Sequence, residues 1–172
     1  IRRSFMDTTL SLVDSTYFDN LHKYHNILNQ RNASIKAYVY KHCSADAITA
    51  WDTGLVQSGS YIIKRRNELI KELNDFCQKL FPVFSKGKHD INIQYSSLIN
   101  CELMNECEIE DHYLNKLEES FKEDIKSMIT RFGPHREDFL LNDADLMLKK
   151  FVSKGQARAV CLILKLAQAS FV

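Results

Sequence analysis

The spacing of apolar side chains commits most of the first 128 residues to helix. Tyr17, Phe18, Leu21, Tyr24 and Leu28 recur at three- and four-residue intervals, which predicts an amphipathic helix over roughly residues 15–40. A second stripe runs through Ile62, Ile63, Leu69, Ile70, Leu73, Phe76, Cys77 and Leu80. It predicts a helix that opens after Ser44 or Asp46, reaches about Leu80 and is ended by Pro82, with Gly54 and Gly59 as places to bend. A third helix, about residues 107–128, buries Leu114, Leu117, Phe121, Ile125 and Met128, and Asn105 with Glu108 is spaced as a capping box. Long helices with one apolar stripe each bury it by packing together, here as a hairpin or arm.

The rest of the chain breaks that rhythm. "INIQYS" alternates Ile91, Ile93 and Tyr95 with Asn92, Gln94 and Ser96, the pattern of a half-buried strand. "MITRF" reads as a short strand leading into "GPHRED", "NDAD" as a turn and "LMLKKFV" as a returning strand. A last helix from Gln156 is apolar on nearly every face, which predicts burial on both sides. The expected fold is α+β: a predominantly helical arm or lid over residues 1–128, then residues 129–172 with a small antiparallel β element and a buried C-terminal helix.

Net charge is +1, so total charge identifies no partner, but its distribution is uneven. Residues 101–126 carry nine acidic and three basic side chains, whereas residues 148–172 carry five basic ones and no acid. A local positive field at that end suits phosphate, with solvated lysines as the plain alternative. Five cysteines without a C-x-x-C pair suggest reduced thiols in a cytosolic chain. Cys101, Cys107 and His112 make a poor zinc set, because no second pair accompanies them. No run approaches the ~20 apolar residues of a membrane span, so no membrane partner is expected. The start at Ile1 suggests a piece of something larger.

Several motifs are weaker than they look. Gly54 and Gly59 have the spacing that opens a phosphate-binding P-loop, but Ser60 and Tyr61 stand where Lys and Ser/Thr belong. His22 and His25 share a helix face without a third ligand, and Trp51 suits a core anchor better than a stacking platform. Lys64, Arg65 and Arg66 can each neutralise a nucleic-acid phosphate or simply form a solvated helix face. "GPHRED", Gly133 to Asp138, is either a turn with an Arg–carboxylate pair or a rigid corner presenting His135 and Arg136.

The strongest motif is "SKGQ". The first N–H groups of a helix lack intrahelical partners and carry the positive end of its dipole. The Ser153 hydroxyl and the missing Cβ of Gly155 would let a phosphate approach, with Lys154 and Arg158 adding charge. Capping by Ser153 alone is the alternative.

Taken together, "RRSFMD", "LNQRN", "WDTGLVQSG", "INIQYSS", "GPHRED" and "SKGQAR" occur in the order found in the RecF family, which they resemble from about Arg2 to the C-terminus. These are bacterial DNA replication and repair proteins of the ATP-binding-cassette class, related to the SMC proteins. The resemblance implies that two ATPase heads close on two ATPs with Mg²⁺, and that "SKGQ" is the signature motif reaching the γ-phosphate held by the partner head. Ser153 and Gly155 would donate to that phosphate, with Gln156 and Arg158 supporting the helix end. It further implies a homodimer on ATP, DNA at single-strand/double-strand junctions as substrate, and RecO and RecR as partners in loading recombinase at gaps and stalled forks. The family's usual HRDD is His135-Arg136-Glu137-Asp138 here, and Ala157 stands where a second glutamine is frequent. No G-x-x-x-x-G-K-[ST] and no Walker B strand lie within the 172 residues, so the chain alone is not expected to hydrolyse ATP. Beside this stand a non-enzymatic DNA-binding or partner-docking module relying on Lys64–Arg66, and a purely structural helical scaffold.

Overall fold

A computed structural model describes residues 2–85, 91–99, 103–143, 146–147 and 154–171. The chain is α+β and mostly helical, with α1 (Arg2–Val13), α2 (Ser15–Val39), α3 (Asp46–Thr49) and α4 (Asp52–Ser85) preceding β1 (Ile91–Ser96). Then follow α5 (Glu106–Ser127), β2 (Asp138–Asp143), β3 (Leu146–Met147) and α6 (Lys154–Phe171). Two compact units share these elements. One gathers residues 1–13, 66–96 and 138–172, the other residues 14–65 and 97–137.

In the first unit β2 pairs antiparallel with both β1 and β3, in the order β1-β2-β3. Ile93 faces Leu141 and Tyr95 faces Phe139 across the first pair. Ile93 is buried while Asn92 and Gln94 are exposed, the alternation predicted for "INIQYS". α1, which the apolar spacing did not reveal, buries Met6, Thr9 and Leu10 and packs against β2 and α6. Thr9 hides that stripe from the sequence, because its hydroxyl is satisfied by donating to Phe5 O at 2.7 Å and by accepting from Gln168 at 3.1 Å. Arg2 forks onto Asp138, Nε to Oδ1 at 3.1 Å and Nη2 to Oδ2 at 2.5 Å.

In the second unit α2, α4 and α5 bury Tyr17, Tyr24, Leu28, Leu55, Ile62, Ile109, Tyr113 and Leu117. Asp14 caps α2, accepting from Tyr17 N at 2.9 Å, and the predicted capping box closes α5 at Asn105 and Glu108. Gly59 is a packing residue rather than a bend: a Cβ there would collide with the Tyr113 ring.

Four expectations need correction. Pro82 does not end its helix, because α4 continues to Ser85; the proline removes one i→i−4 hydrogen bond and the helix stops three residues later. α5 buries Ile109, Tyr113, Leu117 and Asp124 and leaves Leu114 exposed, so the true buried face is turned away from the stripe drawn through Leu114. "MITRF" is no strand: Met128 takes the left-handed conformation (φ 57°) that terminates α5, and the chain turns until β2 begins at Asp138. Finally, α6 buries the face carrying Val160, Ile163 and Ala167, while Leu162 and Leu166 on other faces are about half exposed among the described residues. Of "NDAD" and "LMLKKFV", residues 144–145 and 148–152 lie outside the described residues.

Candidate functional site

α6 is described from Lys154, two residues before the expected start at Gln156, which puts Lys154, Gly155 and Gln156 of "SKGQ" in its first described turn. Gly155 and Arg158 are exposed there, and no acidic side chain stands in the first turn to neutralise the dipole. Ser153 and the side chains of Lys154 and Gln156 lie outside the described residues. The helix is anchored away from this end, where Lys165 Nζ lies 5.9 Å from the centre of the Phe5 ring and Gln168 bonds Thr9. The described part of this site is thus an exposed glycine with an exposed arginine one turn on.

A second constellation lies in the other unit and was not foreseen. Arg31 is fully buried, donating from Nε to Asp52 at 2.7 Å and from Nη1 to Asp124 at 2.7 Å and to Thr130 Oγ1 at 2.9 Å. Burial opposes the charge of Arg31, but the two carboxylates outweigh it and raise its pKa. Asp52 is shifted upward, since its own burial exceeds the relief from Arg31. Asn32 accepts from Thr130 N at 2.7 Å and Oγ1 at 2.8 Å, and Asp124 accepts from Arg131 N at 2.8 Å. The signal was present in the sequence: Tyr17, Tyr24, Leu28, Arg31 and Ile35 share one helical face.

Above this hub sits the "GPHRED" corner. His135 uses both ring nitrogens, Nδ1 2.6 Å from Tyr24 Oη and Nε2 3.0 Å from Thr130 O. Tyr24 Oη lies 3.1 Å from Tyr113 Oη, and burial pushes the Tyr113 phenol well above its usual range. Gly133 has φ 132°, and a Cβ there would run into both tyrosine hydroxyls. His135 is thus a structural member of a rigid corner, and Arg136 is its exposed neighbour.

No protein-family model matches the chain. The DNA replication and repair protein RecF of Lachnoclostridium phytofermentans is 35% identical over 173 residues, covering 99% of this chain and 45% of that protein. RecF of Acetivibrio thermocellus is 33% identical over 172 residues, covering 99% and 47%. Two solved structures, the recombination mediator protein RecF with ATP and with ATPγS in the RecFOR pathway, match with a TM-score of 0.91. Each is 30% identical and covers 98% of this chain and 45% of that one. The chain has the sequence and the fold of a RecF segment. It spans about half the length of the curated relatives it matches.

Within this RecF segment the remaining candidates sort by their partners. Of the basic run, Lys64 lies 3.6 Å from Glu106 and Arg65 2.8 Å from Asp14, both side chains about one-third exposed, whereas Arg66 is buried and 2.7 Å from Asp7. His22 and His25 are exposed, and Trp51 Nε1 donates to Ser34 Oγ at 3.1 Å, as an anchor does. Among the described residues no group of His, Cys, Asp and Glu could hold a metal ion, and Cys101 lies outside them. No helix among them is long and apolar enough to cross a membrane.

Proposed function

We propose that the chain is the helical arm and the signature-bearing part of the head of a RecF-type DNA repair ATPase. The arm corresponds to residues 1–128 and the head segment to residues 129–172. The observation that carries this reading is the match, over 98% of the chain, to RecF solved with ATP. The exposure of Gly155 and Arg158 at the start of α6 supports it locally.

In this reading ATP supplies the triphosphate whose γ-group is held by the P-loop of a partner head. Ser153 and the first N–H groups of α6 donate to that group in trans. Gly155 lets it come close, and Gln156 and Arg158 support the same end. Mg²⁺ belongs with the P-loop and Walker B residues rather than with α6. Closure of the dimer clamps DNA at single-strand/double-strand junctions, and RecO and RecR join in loading recombinase at gaps and stalled forks. The alternative module, working through Lys64–Arg66, is less favoured because each of those cations stands within 4 Å of an acid and Arg66 is buried.

Ser153→Arg in the full-length protein tests the trans role. The bulk and charge should abolish ATP-dependent dimerisation, read by light scattering with a non-hydrolysable analogue, while each monomer still binds ATP. Normal dimerisation by the variant refutes the assignment of α6.

A further inference from the structure

The loop between α5 and β2 is pinned along its length. Thr130 N bonds Asn32, Arg131 N bonds Asp124, and Arg136 N bonds Gly133 O at 2.9 Å. Gly133 is wedged under two tyrosine hydroxyls, and His135 spends both nitrogens on Tyr24 and Thr130. Glu137, buried, accepts from Ser97 Oγ at 2.6 Å and Leu98 N at 3.1 Å. Thr130, Phe132, Gly133, Pro134 and Glu137 are all buried and His135 is half-buried. Between Thr130 and Glu137 the exposed residues are Arg131 and Arg136.

Those two differ from other arginines of the chain. Arg2, Arg31, Arg65 and Arg66 each contact a carboxylate, whereas among the described residues Arg131 and Arg136 have none. Arg136 Nη2 stands 3.5 Å from Thr130 O, which places its guanidinium beside the peptide that leads into Arg131. A guanidinium on a pinned backbone has lost part of its ordering entropy in advance, and its fork of N–H donors matches phosphate oxygens.

We infer that Arg131 and Arg136 form a pre-organised contact for the phosphodiester backbone of DNA. The inference rests on the DNA-binding reading above and assigns a backbone contact to this corner, whose two cations are exposed and without a carboxylate partner among the described residues. The contact is to backbone rather than to bases, because two cations on one short loop carry charge and direction but no further recognition elements.

Each cation that neutralises a duplex phosphate contributes about 0.9 to the slope of log affinity against log salt. Arg131→Gln/Arg136→Gln in the full-length protein should therefore lower that slope by about 1.8. Between 50 and 200 mM salt the unmodified protein should lose about 12-fold more affinity than the double variant. Fluorescence anisotropy with a labelled DNA duplex, ATP present, reads this. Arg131→Lys/Arg136→Lys should keep the slope, which separates charge from any effect on the corner itself. An unchanged slope in the Gln variant, with the unmodified protein binding duplex, overturns the site and leaves the DNA-binding reading standing. No duplex binding by the unmodified protein overturns both.

Discussion

Replacing Arg31 by Met tests whether the second unit is organised around its buried charge. The substitution keeps roughly the aliphatic volume but removes three hydrogen bonds of 2.7, 2.7 and 2.9 Å. It strands Asp124, whose side chain is 0% exposed, and Asp52, at 11%. Breaking a buried pair from one side costs about 3–5 kcal/mol, far more than the pair gains over an apolar isostere. That is a large part of the ~5–15 kcal/mol that keeps a domain folded. Trp51, the chain's single tryptophan, lies in the same unit and hydrogen-bonds Ser34. Its fluorescence during urea unfolding reports the right region. The expected loss at pH 7 is about 3–5 kcal/mol. Burial already pushes the Asp52 carboxyl upward in the presence of the guanidinium, and without it the relief that Arg31 gives is lost. A folded-state carboxyl raised above its unfolded value loses stability as pH rises through it, so the variant's deficit should shrink when pH falls from 7 to 5. Arg31→Lys should lie between, because one ammonium cannot span both acids in the guanidinium's geometry. A loss below about 1 kcal/mol, the ordinary surface value, or a deficit equal at both pH values, refutes the account.

Two further outcomes follow from burial. Gly133→Ala meets both a φ of 132° and the hydroxyls of Tyr24 and Tyr113, so it should cost at least about 2 kcal/mol in the same urea assay. A loss under about 1 kcal/mol would mean that the tyrosines yield freely. Cys77 is 1% exposed and burial pushes its thiol up to about 11, whereas Cys107 and Cys161 are exposed. Iodoacetamide at pH 8, followed by mass spectrometry, should alkylate Cys107 and Cys161 in the native chain and Cys77 only in urea, and equal native labelling would contradict its placement.

Features set by neighbours in sequence were legible. The Asn105–Glu108 capping box and the alternation around Ile93 need only local geometry, and both occur as read. What escaped depended on partners far along the chain. Arg31 reads as polar until Asp124, 93 residues away, is known to receive it. α1 was hidden by Thr9, a polar residue that is buried because Phe5 and Gln168 satisfy it. "MITRF" has strand composition, yet Asn32 and Asp124 take its backbone donors and leave a turn. At the candidate nucleotide site the helix start was legible from "SKGQ", while the one-sided burial of α6 was not, because hydropathy cannot say which faces find a partner.

The stretches that carry the family resemblance are mostly wired into the interior. Arg2 of "RRSFMD" holds Asp138 of "GPHRED", Arg31 and Asn32 of "LNQRN" hold Asp52 and Thr130, and His135 is locked between Tyr24 and Thr130. Arg31 and Thr130 are buried and His135 spends both ring nitrogens within the protein, while the Arg2–Asp138 pair stays about one-third exposed. The departure at Glu137 has the same logic. Its carboxylate is buried and takes two hydrogen bonds, from Ser97 Oγ and Leu98 N, so the side chain at this position is spent on internal contacts. A resemblance built on such residues testifies first to architecture. Among the described residues the exposed cations of these stretches are Arg136 in "GPHRED" and Arg158 in "SKGQAR", so a phosphate contact from them would fall to those two guanidinium groups.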